Sequence, residues 1–257
     1  MLKDVQGQED VRQISLKQVG INNLHWPLVV KDKQCGQQHT VAQIAMSVNL
    51  PHTQRGTHMS RFVECLNALE AVEPASLEKL LDTLKEKLEA QKAVLKMSFP
   101  YFINKKAPVS GAVAPLEIKC KYDAEKQETF ELITTVEVPI HTLCPCSKEI
   151  SAHGAHNQRA IAKMEIKSTH MVWFEELVDM AEQSASTPIY TILKRPDEKF
   201  VTEQAYANPR FVEDAVREIA MRLEQDKRIT WYCVTVESME SIHNHNAFAV
   251  VEKAVTE

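Results

Sequence analysis

Phe130-Glu131-Leu132-Ile133-Thr134-Thr135-Val136-Glu137-Val138 begins a run in which two alternating patterns flank a cluster of thiols and imidazoles. It runs on through His141-Thr-Leu-Cys144-Pro145-Cys146-Ser-Lys148-Glu149-Ile-Ser-Ala-His153-Gly154-Ala-His156-Asn157-Gln158-Arg159 into Ala160-Ile-Ala162-Lys-Met164-Glu-Ile166. Phe130, Leu132, Thr134, Val136 and Val138 alternate with Glu131, Thr135 and Glu137, and Ala160, Ala162, Met164 and Ile166 alternate again. A period of two marks half-buried strands. The loop between them carries two thiols one residue apart and three imidazoles, in a chain with six Cys and ten His. Pro145 fixes the backbone between the sulfurs and Gly154 permits a tight bend. Loop-borne chemistry is usually presented this way, on a connection held by rigid strands.

Working outward, the same patterns recur on both sides. Residues 1–20 show no sustained periodicity and read as a loose N-terminal arm. A strand is expected near Leu24–Lys31, and Ala42, Ile44, Met46, Val48 and Leu50 mark a second. A helix follows with Phe62, Val63, Leu66 and Leu69 on one face. Ser76 is then a candidate cap for a helix with Leu77, Leu80, Leu81, Leu84 and Leu88 as its stripe. Strand-like runs at 95–104 and 116–122 complete a ββααββ order. After the Cys/His loop, residues 173–185 read as a helix. A long connection leads to Asn208-Pro209 as cap and first-turn pair of a helix bearing Val212, Ala215, Val216, Ile219 and Leu223. Strands at 229–236 and 247–251 close the chain.

The expectation is an α+β protein of two ββααββ units, 21–124 and 125–257, with antiparallel sheets and helices on one face of each. The halves share almost no residues, so the repeat rests on element order alone; a single irregular α+β domain is the alternative. Two small sheets with exposed edges call for pairing between copies, and closed symmetric oligomers are the usual outcome.

Composition bounds the function. At 257 residues, 44% hydrophobic and 25% charged, the chain can bury a proper core. The formal charge of −5 argues against a nucleic-acid surface. The polar opening residues hold no signal-like apolar run and no later run approaches a membrane span, so the expected setting is cytoplasmic, without a membrane partner. Cysteines in a reducing compartment stay thiols. Cys65, Cys120 and Cys233 sit in apolar runs as buried filler, leaving Cys144 and Cys146 for chemistry.

Thiolate, imidazole and carboxylate together suit a divalent ion such as Zn, Mn or Fe. Cys144 and His156 lie close enough along one loop to share it. One residue between Cys144 and Cys146 makes joint chelation awkward, so one sulfur binds and the other waits as an alternative ligand. Other candidate groups are Glu240, His243 and His245 in a loop near the end, Glu198 in the long connection, Glu213 in the first turn of the last helix, and Arg55, His58 and Arg61 before the first. Each has an ordinary alternative: surface histidines, a solvated charge run, a carboxylate favouring the helix dipole, a polar helix start. Spacing alone indicates a metal centre and leaves the reaction open.

Three motifs in order narrow it. Cys144-Pro-Cys146-Ser-Lys-Glu-Ile-Ser with Gly154-Ala-His156-Asn-Gln-Arg159, Arg55-Gly-Thr-His-Met-Ser-Arg-Phe62, and Ile242-His243-Asn-His245-Asn-Ala resemble GTP cyclohydrolase IB. The resemblance covers nearly all the chain after residue 20. It implies a bimodular tunnelling fold (T-fold) and a homotetramer with active sites between subunits. It implies conversion of GTP and water to 7,8-dihydroneopterin triphosphate and formate, the first step toward tetrahydrofolate and a source for queuosine precursors. Residue by residue it implies metal binding by Cys144, His156 and Glu198, with Cys146 as an alternative ligand. Glu213 would anchor guanine, His243 would serve in the active site, and Cys144 is carried among the catalytic residues. Arg55, His58, Arg61, Lys148 and Arg159 are the candidates to hold the triphosphate by charge-assisted hydrogen bonds.

Two rivals stand beside it. A nitrile reductase on the same fold needs a lone activated thiolate and a nicotinamide cofactor; the thiols beside a histidine count against it. A structural metal clip would make the fold depend on the ion.

Overall fold

The computed structural model describes residues 5–255. Residues 1–4 of the expected arm lie outside it. Contacts divide the chain into two compact units: the first runs to Phe99 and includes Lys121–Ile133, and the second comprises Pro100–Cys120 and Thr134 onward. Among the described residues there are nine strands and six helices, and no helix is long and apolar enough to cross a membrane.

The first unit is built on strands β1 (Leu16–Asp32) and β2 (Gly36–Leu50), an antiparallel pair from Asp32↔Gly36 to Leu16↔Leu50. The strand thus starts at Leu16, inside the stretch expected to be an arm. Gly20 explains why the pattern was faint there: a Cβ at this position would sit 2.0 Å from the Met46 carbonyl oxygen, so the close approach of the strands demands glycine instead of an apolar side chain. Helices α1 (Met59–Asn67) and α2 (Pro74–Lys87) follow. Glu73, not Ser76, is the N-cap of α2; the Ser76 hydroxyl accepts from the Glu73 N–H at 3.0 Å. Leu77, Leu81 and Leu84 are fully buried, and each such side chain stabilises by about 1.5–3 kcal/mol. Strand β2 pairs antiparallel with β3 (Ala93–Lys106), and β4 (Val113–Lys126) follows.

The second unit carries β5 (Phe130–Leu143), α3 (Pro145–Ile150), β6 (Asn157–Ser168), α4 (Phe174–Ser184), the two-residue β7 (Thr187–Pro188), α5 (Arg195–Ala207), α6 (Val212–Gln225), β8 (Ile229–Ser238) and β9 (Ala247–Ala254). The expected long connection is in fact β7 and α5. Asn208 ends α5 instead of starting the last helix, whose N-cap is Phe211. The ladders β5–β6, β6–β8 and β8–β9 are all antiparallel. Val136, Val138, Ile140, Ala160, Ala162, Met164, Val234 and Val236 are buried on one face, as the period of two requires. Helix α6 packs against β8 and β9 and touches α4. Tyr101 meets Phe174 edge-on at 5.1 Å and donates to the Glu175 carboxylate at 2.8 Å.

Register then positions the chemistry. Leu143 pairs with Asn157, Ala160 with Ser238, and Ser238 with Ala247, which puts the 144–156 and 239–246 connections at the same end of this sheet. The Met239 N–H donates to the Arg159 carbonyl at 3.0 Å, tying the two together. The Arg210 N–H donates to the Leu143 carbonyl at 3.0 Å and brings the start of α6 to that end as well.

Candidate functional site

The Cys/His loop folds into a short helix because Pro145 supplies a first-turn residue and Cys144 caps it. The Cys144 sulfur accepts from the Ser147 N–H at 3.3 Å. Its own N–H donates to the His156 carbonyl at 3.0 Å, while the His156 N–H donates to the Ser147 hydroxyl at 3.2 Å. Gly154, at φ +72°, makes the bend that returns the chain to β6. Cys144 and His156 are therefore neighbours across a closed loop.

They open on a cleft of about 490 Å³ in the second unit, whose lining includes Cys144, His156, Glu213, Glu240, His243 and His245. The His243 and His245 rings stack at 5.1 Å with 17° between planes. His156 Nδ1 lies 2.9 Å from Gln158 Oε1 and 3.8 Å from Glu240 Oε2, and Gln158 Nε2 donates to Glu240 Oε1 at 3.3 Å. With Nδ1 engaged, Nε2 is the nitrogen left for a ligand. A ligating histidine is commonly oriented through its other nitrogen in this way.

Of the residues expected at the site, the cleft gathers Cys144, His156, Glu213 and His243. Glu198 is not among its lining residues; it sits in the first turn of α5, its N–H bonded to the Lys194 carbonyl at 2.9 Å. Among the described residues no three of His, Cys, Asp and Glu are grouped tightly enough to hold a metal ion. The donors present suit such an ion in kind, one cysteine sulfur and one free imidazole nitrogen. Cys146 is exposed on α3. The Lys148 ammonium is engaged by α5, donating to the Tyr206 carbonyl at 2.6 Å and lying 4.5 Å from the Tyr206 ring centre. Arg159 is exposed on β6. Arg55, His58 and Arg61 belong to the first unit, where the Arg61 guanidinium donates to the Lys87 carbonyl.

Beside Glu198 lies Asp197, fully buried. It accepts from the N–H groups of Val109 and Ser110, both at 2.8 Å, from the Ser110 hydroxyl at 2.6 Å and from the Lys194 N–H at 2.8 Å. Burial works to raise this carboxyl, but those donors outweigh it and hold it well below the usual carboxylate range. The start of α5 is thereby pinned to the turn after β3. Sequence reading missed Asp197 because a charged run gives no sign of burial. It assigned no role to Gln158, though that residue lies within the His156 motif, nor to Arg210, which belongs to no motif; both line the cleft.

The chain resembles the GTP cyclohydrolase FolE2 of Thermotoga maritima, 58% identical over 98% of this chain and 97% of the relative. The protein of that name from Caldicellulosiruptor saccharolyticus is 57% identical over 97% of each. Among solved structures, the uricase of Arthrobacter globiformis aligns over 100% of this chain and 96% of its own, with a TM-score of 0.52 and 8% identity. The urate oxidase of Bacillus sp. TB-90 aligns over 93% and 100%, with a TM-score of 0.54 and 10% identity. At those identities the likeness is one of fold alone. The family described as type I GTP cyclohydrolase folE2 matches residues 2–249, and on that match together with the full-length relatives this chain belongs to that family.

Proposed function

We propose that this chain hydrolyses and rearranges GTP, with one water, to 7,8-dihydroneopterin triphosphate and formate, the first step of tetrahydrofolate biosynthesis, as the type IB branch of the family. Support comes from family membership and, chiefly, from the convergence of Cys144, His156, Glu213 and His243 on one cleft. In this reading Cys144 and His156 hold a divalent ion, Zn, Mn or Fe, with Glu198 as the third ligand and Cys146 as an alternative to Cys144. When bound, such an ion lowers the pKa of water so that hydroxide is available near neutral pH.

The rest falls to side chains of this protein. Glu213 accepts hydrogen bonds from the guanine N–H groups, which fixes C8 as the atom facing the loop. His243 protonates the ring nitrogen as the imidazole ring opens. A second hydration frees C8 as formate; rearrangement of the sugar to a ketone and its condensation with the freed amine then close the pteridine and release one water, so that one is consumed overall, and these steps need proton shuttling by groups already in the cleft. Arg55, His58, Arg61, Lys148 and Arg159 remain the proposed cations for the triphosphate. The assembly is read as a homotetramer with active sites between subunits, in a bimodular tunnelling fold of two ββααββ modules, 21–124 and 125–257. The product also serves the route to queuosine, and the setting is cytoplasmic.

The test is to supply the protein with each metal in turn, add GTP, and assay formate together with fluorescent neopterin after oxidation and dephosphorylation. Equal yields of both are expected. Failure to form either with any of the ions would end the reading. A chelator is expected to stop turnover and leave the far-ultraviolet dichroism intact; unfolding would indicate a structural clip instead.

A further inference from the structure

Among the described residues that line the cleft, Arg210 is the one lysine or arginine. Its backbone is fixed by the bond to Leu143, yet its guanidinium is poorly engaged. One nitrogen lies 3.5 Å from the Glu218 carboxylate, the limit of hydrogen-bond range, and this is the guanidinium's one acceptor among the described residues. A guanidinium offers five donors, and a half-buried one left so short of acceptors is under-satisfied unless something else supplies them. No side chain that lines the cleft does so.

We infer that Arg210 is a base-recognition residue that donates to the carbonyl oxygen O6 of guanine, opposite the acceptor Glu213. This rests on the guanine-anchoring role proposed for Glu213. Arg210 and Glu213 stand three residues apart at the start of α6 and line the same cleft. Guanine presents O6 as an acceptor beside the N1–H and the exocyclic amine, so an arginine and a carboxylate side by side complement that edge. The triphosphate leaves the nucleoside from its far end, so a residue that lines the same cleft three positions before Glu213 is placed toward the base end. Adenine carries an amine donor where guanine carries O6, and against a guanidinium that places donor facing donor; Arg210 therefore selects for guanine as well as holding it.

Calorimetric titration of the full-length chain with GTP and with unphosphorylated guanosine tests the inference. Arg210→Ala is expected to weaken both ligands by the same factor, about 10- to 100-fold for one good arginine–guanine contact. Arg210→Gln, which loses the charge and keeps an amide donor, recovers part of that loss for both and guards against a folding defect in the alanine variant. Weakened GTP with unchanged guanosine would show a phosphate contact and overturn the inference, as would no change in either. If Glu213→Ala binds GTP normally, the base-anchoring reading itself falls. If Glu213→Ala loses GTP and Arg210→Ala does not, only the role of Arg210 falls.

Discussion

The two units treat buried polarity differently. Among the described residues the first buries Asp32 and Thr57, whereas the second buries eleven polar or charged side chains, among them Gln158, Glu175, Glu182 and Asp197. Ion pairs of the first unit, such as Lys31–Glu73 and Lys92–Glu125, keep one or both partners well exposed. Those of the second include Lys105–Glu182, with side chains only 15% and 6% exposed. Buried polar groups are costly unless every partner is in place. The cleft proposed as the site lies in the second unit, where that cost is concentrated.

The comparison breaks most sharply at the loop. Cys144→Ala and His156→Ala are each expected to lose bound metal and reduce formate release to background, as read by metal analysis of the purified protein and by assay. Glu213→Ala keeps the metal and loses GTP. Arg61→Ala, in the first unit, keeps the metal and weakens GTP only.

Next in size is the buried pair. Lys105→Met leaves the Glu182 carboxylate without its cation and is expected to cost about 3–5 kcal/mol at neutral pH in a denaturant titration. Burial, partly offset by Lys105, already raises the Glu182 carboxyl above its ordinary 4.5. A raised carboxyl contributes stability at low pH that is lost as pH rises through the folded value. Removing Lys105 raises it further, so the penalty relative to wild type is full above both folded-state values and fades as pH falls through them, both lying above 4.5. A penalty independent of pH would mean the lysine acts by packing.

Gln158→Leu sharpens the contrast on a finer scale. By freeing His156 Nδ1 it should weaken metal affinity about 10- to 100-fold with little change in melting temperature. Smallest is Lys92→Met in the first unit, expected to cost no more than about 1 kcal/mol, since that pair lies toward solvent.

Much of this was legible in the residues. The alternation at 42–50, 130–138 and 160–166 marked strands because one face is buried and the other is not. The stripes at 77–88 and 212–223 marked helices for the same reason. Helix α5 escaped because only Asp197 and Ala205 on it are buried, so it shows no apolar stripe. The first half of β1 escaped because its tightest contact requires glycine. At the site, cysteine and histidine announce themselves by rarity, and Cys144 and His156 were found that way. Arg210 reaches the cleft through its backbone bond to Leu143, a long-range contact no local pattern encodes, and Gln158, though quoted beside His156, gave no sign of its bond to that ring. Glu198 carried a motif-level expectation, and it stands outside the cleft lining.

The central claim is that the second unit's cleft opens the five-membered ring of guanine at C8. It is tested most directly with GTP carrying carbon-13 at C8, followed by nuclear magnetic resonance with the metal-loaded protein and with its His156→Ala variant. The account predicts that the label appears as formate with the wild-type chain and stays in the nucleotide with the variant. Label retained by both, or formate released equally by both, would contradict it.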